Sequence, residues 1–203
     1  ADTGCTDTNA IVTCNVMTDN FSGGLLAGEA IIKALDNKGG EILVPSYDDA
    51  HSCLLRVQGL KEKLTEWNAA NPEAMIKIVA ELPGKADQDA SKLACEDALN
   101  AHPNLGAVFA INDPSAIGAV VAIEAAKKQG SIKVVGFDGQ KMGKIAIRDG
   151  RIFADPIQYP KELGRKTVQQ VVKYFNGETV EKEILIQTSL YYQEDAKNDP
   201  ELK

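Results

Sequence analysis

The chain is poor in the residues from which most catalytic and metal centres are built. Its 203 residues include only two histidines and four cysteines. Cys5, Cys14, Cys53 and Cys95 lack CxxC spacing, which argues against a zinc or iron–sulfur centre. The glycine patterns GxGxxG and GxxxxGKS/T, whose backbone amides approach a phosphate, are missing, and Gly136-Phe-Asp-Gly139 is too short to replace them. The nucleophile turn GxSxG is missing as well, and neither histidine has a serine or cysteine partner at a strand end. His102, in Ala101-His-Pro103, reads as a dipole partner at a helix exit. His51, beside Asp48 and Asp49, reads as a solvated residue of a helix start, with a place at a pocket mouth as the open alternative. These absences lead to an expectation of no enzymatic chemistry and no cofactor.

Long apolar runs are lacking too. None reaches the roughly 18 residues of a membrane helix, so no membrane insertion is expected. The opening Ala1-Asp-Thr-Gly has no basic, apolar leader, so any targeting signal is expected to have been removed or to lie outside this sequence. Positive charge is in deficit: Lys and Arg number 22 against 29 Asp and Glu, for a net charge of −7. That balance argues against nucleic acid or an anionic membrane as partner and suits a soluble carrier of neutral ligands. Aromatics make up only 5% of the chain.

What is abundant is Ala, Val, Ile and Leu within a 44% hydrophobic fraction, as expected where helices cover parallel strands. The length suits one large unit or two small lobes. Strand-like runs near 10–17, 41–45, 75–80, 107–111, 132–136, 152–155 and 183–190 alternate with helical patterns near 21–36, 51–69, 87–101, 114–128, 141–149 and 160–176. The pattern predicts an α/β fold with a doubly wound parallel sheet. The charged tail from Gln193 to Lys203 reads as a frayed, solvated end.

Three strand-like runs end in a hydrogen-bonding side chain: Ala107 to Asn112, Ile132 to Asp138, and Ile152 to Gln158. Ligands of open parallel sheets sit outside the carboxyl ends of the strands, so these two amides and one carboxylate are placed to converge on hydroxyls. Capping and turn formation are the ordinary roles of such residues and stand as the alternative. Arg56 lies one residue off the apolar stripe of its helix, near the same sheet edge. It is either a five-donor fork for a ligand or an exposed arginine with its stem along the helix. A Cys5–Cys14 bridge is conceivable in an oxidising compartment, against the reading of Cys14, Cys53 and Cys95 as buried apolar filler.

Asn15-Val-Met-Thr-Asp-Asn20 with Gly23-Gly24, Arg56-Val-Gln-Gly59, Ala101 to Asp113, Ser115-Ala-Ile-Gly118, Val134 to Gly139 and Gln158-Tyr-Pro160 follow one another in a characteristic order. In these stretches the chain closely resembles the periplasmic sugar-binding proteins of ABC transporters, of the ribose- and fructose-binding type, which share the type I fold with LacI-type regulator cores. The resemblance implies that Arg56 forks onto sugar hydroxyls or the ring oxygen, that Asn112, Asp138 and Gln158 read other hydroxyls, and that Asp2 ends a first-lobe strand in the same pocket. Thr3 stands at a basic position of ribose binders, and an aromatic of the second lobe is replaced near Ala86. These departures, with Asn112-Asp-Pro-Ser115 and Ser189-Leu-Tyr-Tyr192, turn the reading toward fructose, other ketoses, pentoses or polyols.

By the same resemblance, about a hundred residues of first-lobe sequence are expected upstream. Residues 1–18 would be the remnant of the first lobe and a hinge strand, 19–157 the complete second lobe, 158–187 the returning helix and strand of the first lobe, and 188–203 the last crossover and tail. The implied partners are a monosaccharide or polyol and an ABC permease, and the implied compartment is the periplasm. The apolar face of the helix near 160–176, with Leu163, Val168, Val171, Val172 and Phe175, expects a sheet beneath it, and leads to an expectation of a missing lobe fragment or a homo-oligomer. The effector core of a LacI-type regulator is the alternative of the same fold, and a fragment of a sugar-modifying enzyme the alternative of another class.

Overall fold

A computed structural model describes residues 11–203. In chain order the elements are β1 (Asn15–Thr18), α1 (Asn20–Ala34), β2 (Gly40–Ser46), α2 (His51–Ala70), β3 (Ile76–Pro83), α3 (Gln88–Ala101), β4 (Leu105–Phe109), α4 (Asp113–Ala125), β5 (Lys133–Val135), α5 (Lys141–Arg148), β6 (Ala154–Ile157), α6 (Pro160–Phe175), β7 (Glu183–Ile186), β8 (Ser189–Tyr192) and α7 (Gln193–Asn198). Six strands form one sheet in the order β3-β2-β4-β5-β6-β8, parallel except for β8, which runs antiparallel to β6. The strand order reverses beside β2, and the crevice for ligands in such a sheet opens outside the carboxyl ends near that reversal.

The run Ile42-Leu43-Val44 is apolar throughout because both sheet faces are covered. Ile42 and Val44 pack with Ala27, Ile31, Val57 and Leu60 of α1 and α2. Leu43 faces the opposite layer with Cys95, Ala119 and Val120 of α3 and α4. The two helices of the first layer approach closely through glycine. A Cβ at Gly24 would collide with the Arg56 carbonyl oxygen, and one at Gly59 with that of Phe21. This contact fixes the start of α1 against the middle of α2, and so brings Asn20 beside Arg56.

The run near 183–190, expected as one strand, breaks at Gln187 and Thr188 into two strands that join different sheets. β7 pairs in parallel with β1 in a separate two-stranded layer, while β8 completes the six-stranded sheet. The tail also differs from the expectation of a frayed end. Ala196 on α7 is buried, and Asp199 accepts hydrogen bonds from the Tyr191 hydroxyl at 2.7 Å and from Lys144 Nζ at 2.9 Å. Asp199 is thus paired against the body, while Glu194, Lys197 and Lys203 remain exposed.

α6 lies over β1 and buries little. Val168 is 63% exposed, Val172 53% and Phe175 82%. The broad apolar face read from the sequence therefore exists and is uncovered in the described residues. No helix among these residues is long and apolar enough to cross a membrane.

Candidate ligand site at the strand ends

Because β4, β5 and β6 are neighbours in the sheet, the three polar residues that follow them line one edge. Asp138 and Gln158 meet directly, with Gln158 Nε2 donating to Asp138 Oδ1 at 2.5 Å. The backbone holds them in register: Gln158 N–H donates to the Asp138 carbonyl at 2.9 Å, and Asp138 N–H to that of Pro156 at 3.1 Å. Asp138 adopts φ of 104°, a left-handed conformation rare for a side-chain-bearing residue. Such strain, roughly 1–3 kcal/mol, persists where surrounding bonds over-determine the geometry.

Arg56 resolves toward the site rather than the surface. It is buried, and its Nη1 donates to Asp138 Oδ1 at 2.8 Å and to the Ile111 carbonyl at 2.7 Å. Its Nε donates to Asn20 Oδ1 at 2.8 Å, and its guanidinium lies 3.9 Å from the centroid of the Phe137 ring. Three donors and one face are thus occupied, while Nη2 has no partner among the described residues. The buried ion pair, its extra hydrogen bonds, the two remaining Nη2 donors and the adjoining carboxylate make a fixed array of donors and acceptors.

Asn112 stands at the same edge in a different role. Its Oδ1 caps α4 by accepting from Ser115 N–H at 3.0 Å, and its Nδ2 donates to the Ala86 carbonyl at 3.1 Å. The capping alternative is realised, and the second bond ties down Ala86, itself at a positive φ of 53°. Among the described residues Asn112 makes no hydrogen bond to the Arg56–Asp138–Gln158 group. Asp2 lies outside the described residues. So does Cys5; Cys14 carries a free thiol.

Sequence reasoning missed Asn20 and Thr18. Asp19 caps α1 through its Oδ1 and Ser22 N–H, which frees the neighbouring Asn20 to orient Arg56. Thr18 donates its hydroxyl to Gln158 Oε1 at 2.5 Å. Both amide ends of Gln158 are therefore engaged, one with the site and one with the β1–α1 connection. Nearby, Tyr159 and Ser189 hydroxyls lie 2.6 Å apart, and Gln187 Nε2 donates to Asp19 Oδ2 at 2.9 Å. The segments around Thr18, Gln158 and Gln187 are thus laced together beside the site.

Burial raises the thiol of Cys53, one turn before Arg56, against the opposing pull of the Arg56 charge. No group of histidine, cysteine and acidic side chains suited to a metal ion occurs among the described residues.

The profile of the periplasmic binding protein domain matches residues 5–179. The chain belongs to that family. Periplasmic binding protein relatives include the ribose import binding protein RbsB of Salmonella typhimurium, 31% identical over 174 residues, which are 86% of this chain and 56% of that protein. The D-ribose/D-allose-binding protein of Pseudomonas aeruginosa is 32% identical over 166 residues, 81% of this chain and 50% of that one. The chain spans about half the length of these curated relatives. Among solved structures, the ABC transporter solute-binding protein of Actinobacillus succinogenes with bound D-allose superposes with a TM-score of 0.85 at 26% identity, covering 93% of this chain and 64% of that one. That of Agrobacterium vitis with bound D-fucose gives 0.80 at 30% identity, covering 94% and 63%. Periplasmic binding protein architecture of the type I form accounts for the parallel sheet and its helical layers.

Proposed function

We propose that this chain is the greater part of a solute-binding component of an ABC sugar importer, and that it captures a monosaccharide or related polyol in the periplasm without altering it. The observation that carries the reading is the Arg56–Asp138–Gln158 array at the strand ends. It offers a planar donor fork, a carboxylate acceptor and an amide side by side, the set that discriminates hydroxyl positions. A wrong epimer would leave one of these groups unpaired, at roughly 1–3 kcal/mol. The names of the relatives support the ligand class, since they specify ribose, allose, fucose and apiose.

In this reading residues 19–157 form the ligand lobe together with β8 and α7, and β1, α6 and β7 belong to a second lobe whose remainder covers the apolar face of α6. The laced segments around Thr18, Gln158 and Gln187 act as the hinge. Closure over the sugar excludes water and presents the closed form to a permease.

The test is the melting temperature of the chain with ribose, allose, fructose, fucose, xylose, galactose, erythritol or xylitol at millimolar concentration. Ligand at about a hundred times its dissociation constant adds roughly 2.7 kcal/mol. A rise selective for one sugar, abolished in Asp138→Asn, is the expected result. A flat panel that stays flat for the chain extended to the length of its relatives would overturn the reading.

A further inference from the structure

Behind the site, two buried carboxyl groups lie within hydrogen-bonding reach of each other and have no counter-ion among the described residues. Asp113, the first residue of α4, and Asp155, on β6, are both 0% exposed. Asp113 Oδ2 accepts from Gln140 N–H at 2.6 Å, and Asp155 Oδ1 accepts from Gly136 N–H at 3.0 Å. The pair thus holds the first and last residues of the 136–140 loop, whose middle residue is Asp138. Asp113 Oδ1 and Asp155 Oδ2 have no hydrogen-bond partner among the described residues. The fit around them is tight, since a Cβ at Gly143 of α5 would collide with Asp113 Oδ1.

Two adjacent ionised carboxylates in a dry interior repel each other, and here one oxygen of each is without a donor among the described residues. The charged groups around them do not relieve this. Asp138, on the loop between them, is a third negative charge, and Arg56 of α2 is spent on it. Lys144 of α5 is committed to Asp199 and Glu201. A single proton between the two carboxyls supplies the missing donor and halves the charge.

We propose that Asp113 and Asp155 share one proton at neutral pH, and that this acid–carboxylate pair is a positioning device that sets the Gly136–Gln140 loop and hence Asp138. The role for Asp138 in ligand binding rests on the function proposed above; the shared proton does not. Burial raises both carboxyls, reinforced for Asp113 by the charge of Asp155 and for Asp155 by that of Asp138. Loss of the proton puts like charges on both sides of the loop and loosens it.

The direct test is the infrared spectrum of the full-length protein, labelled with carbon-13 in aspartate side chains, at about pH 8, where ordinary carboxyls are ionised. One protonated aspartate carbonyl band is expected, absent from both Asp113→Asn and Asp155→Asn. Its absence from the unmodified protein, or its persistence in both variants, would overturn the shared proton. The second readout needs no variant: the amide resonances of Gly136 and Gln140 are expected to shift together, with the same midpoint as the loss of the band. A band that titrates while those amides stay still would overturn the positioning role. Since both readouts are made without sugar, failure of the sugar reading leaves them intact, and the reverse also holds.

Discussion

Arg56 joins three elements with one cation: Asn20 of α1, the Ile111 carbonyl after β4 and the Asp138 carboxylate after β5. Removing one partner of such a buried pair strands the other, so Arg56→Met is expected to destabilise the chain by about 3–5 kcal/mol. Arg56→Met with Asp138→Asn should recover much of that loss, and urea denaturation of the two singles and the double measures the coupling. At this scale the sequence was legible where position alone mattered. Asp138 and Gln158 were legible as residues of one edge because both follow neighbouring strands of the same sheet. Asn112 follows β4 at the same edge, but an Asn before Asp-Pro-Ser serves equally as a helix cap, the role it takes here. Asn20 escaped because Asp19 and Asn20 both look like caps, and only the fold shows which one is released.

At the scale of elements, the α1–α2 crossing decides where Arg56 sits, and Gly24 and Gly59 permit it. Gly59→Ala places a methyl 2.9 Å from Gly24 Cα and closer still to the Phe21 carbonyl oxygen, so the helices must separate. A loss of roughly 1–3 kcal/mol is expected from such overpacking, together with a weaker ligand response. Gly164→Ala on α6 is the contrasting case, because nothing lies within 4 Å of its added methyl. It should stabilise by roughly 0.5–1 kcal/mol through helix propensity alone. Thermal denaturation of both variants separates backbone contact from propensity. The alternation of strands and helices was legible because apolar runs of two lengths recur between turn residues. The division of 183–190 was not, since Gln187, Thr188 and Ser189 are as compatible with one continuous strand as with a break, and only pairing partners reveal that the run serves two sheets.

For the whole molecule, acid and alkali act through different carboxyls. Asp199 is held at about 2 by the Tyr191 hydroxyl and Lys144, below its unfolded value, so its contribution is present above the unfolded carboxylate range and is lost as pH falls toward about 2. Asp113 and Asp155 are raised, so the folded state keeps protons the unfolded chain has released, and stability declines as pH rises above the unfolded value. The melting temperature is expected to peak on the acid side of neutrality, with Asp155→Asn gaining on the unmodified chain as pH increases. Tyr191→Phe should lose roughly 1.5–3 kcal/mol at neutral pH, the contribution of a hydrogen bond to a charged group. A series of melts from about pH 3 to about pH 9 checks all three. The docking of residues 193–202 was illegible in the sequence because a run of Asp, Glu and Lys looks solvated until Lys144 and Tyr191 are found opposite it.

Gln158 carries a further consequence. With its Nε2 on Asp138 and its Oε1 accepting from Thr18, the amide arrives at any ligand already engaged at both ends. In the proposed sugar-binding role, a hydroxyl entering there would exchange one bond for another, so selectivity at this residue would reside in geometry. The exchange also decides which bond yields. In that role, a sugar hydroxyl that takes the place of Thr18 on Gln158 Oε1 would release the β1–α1 connection from Gln158, so occupancy would be reported by the loss of that bond.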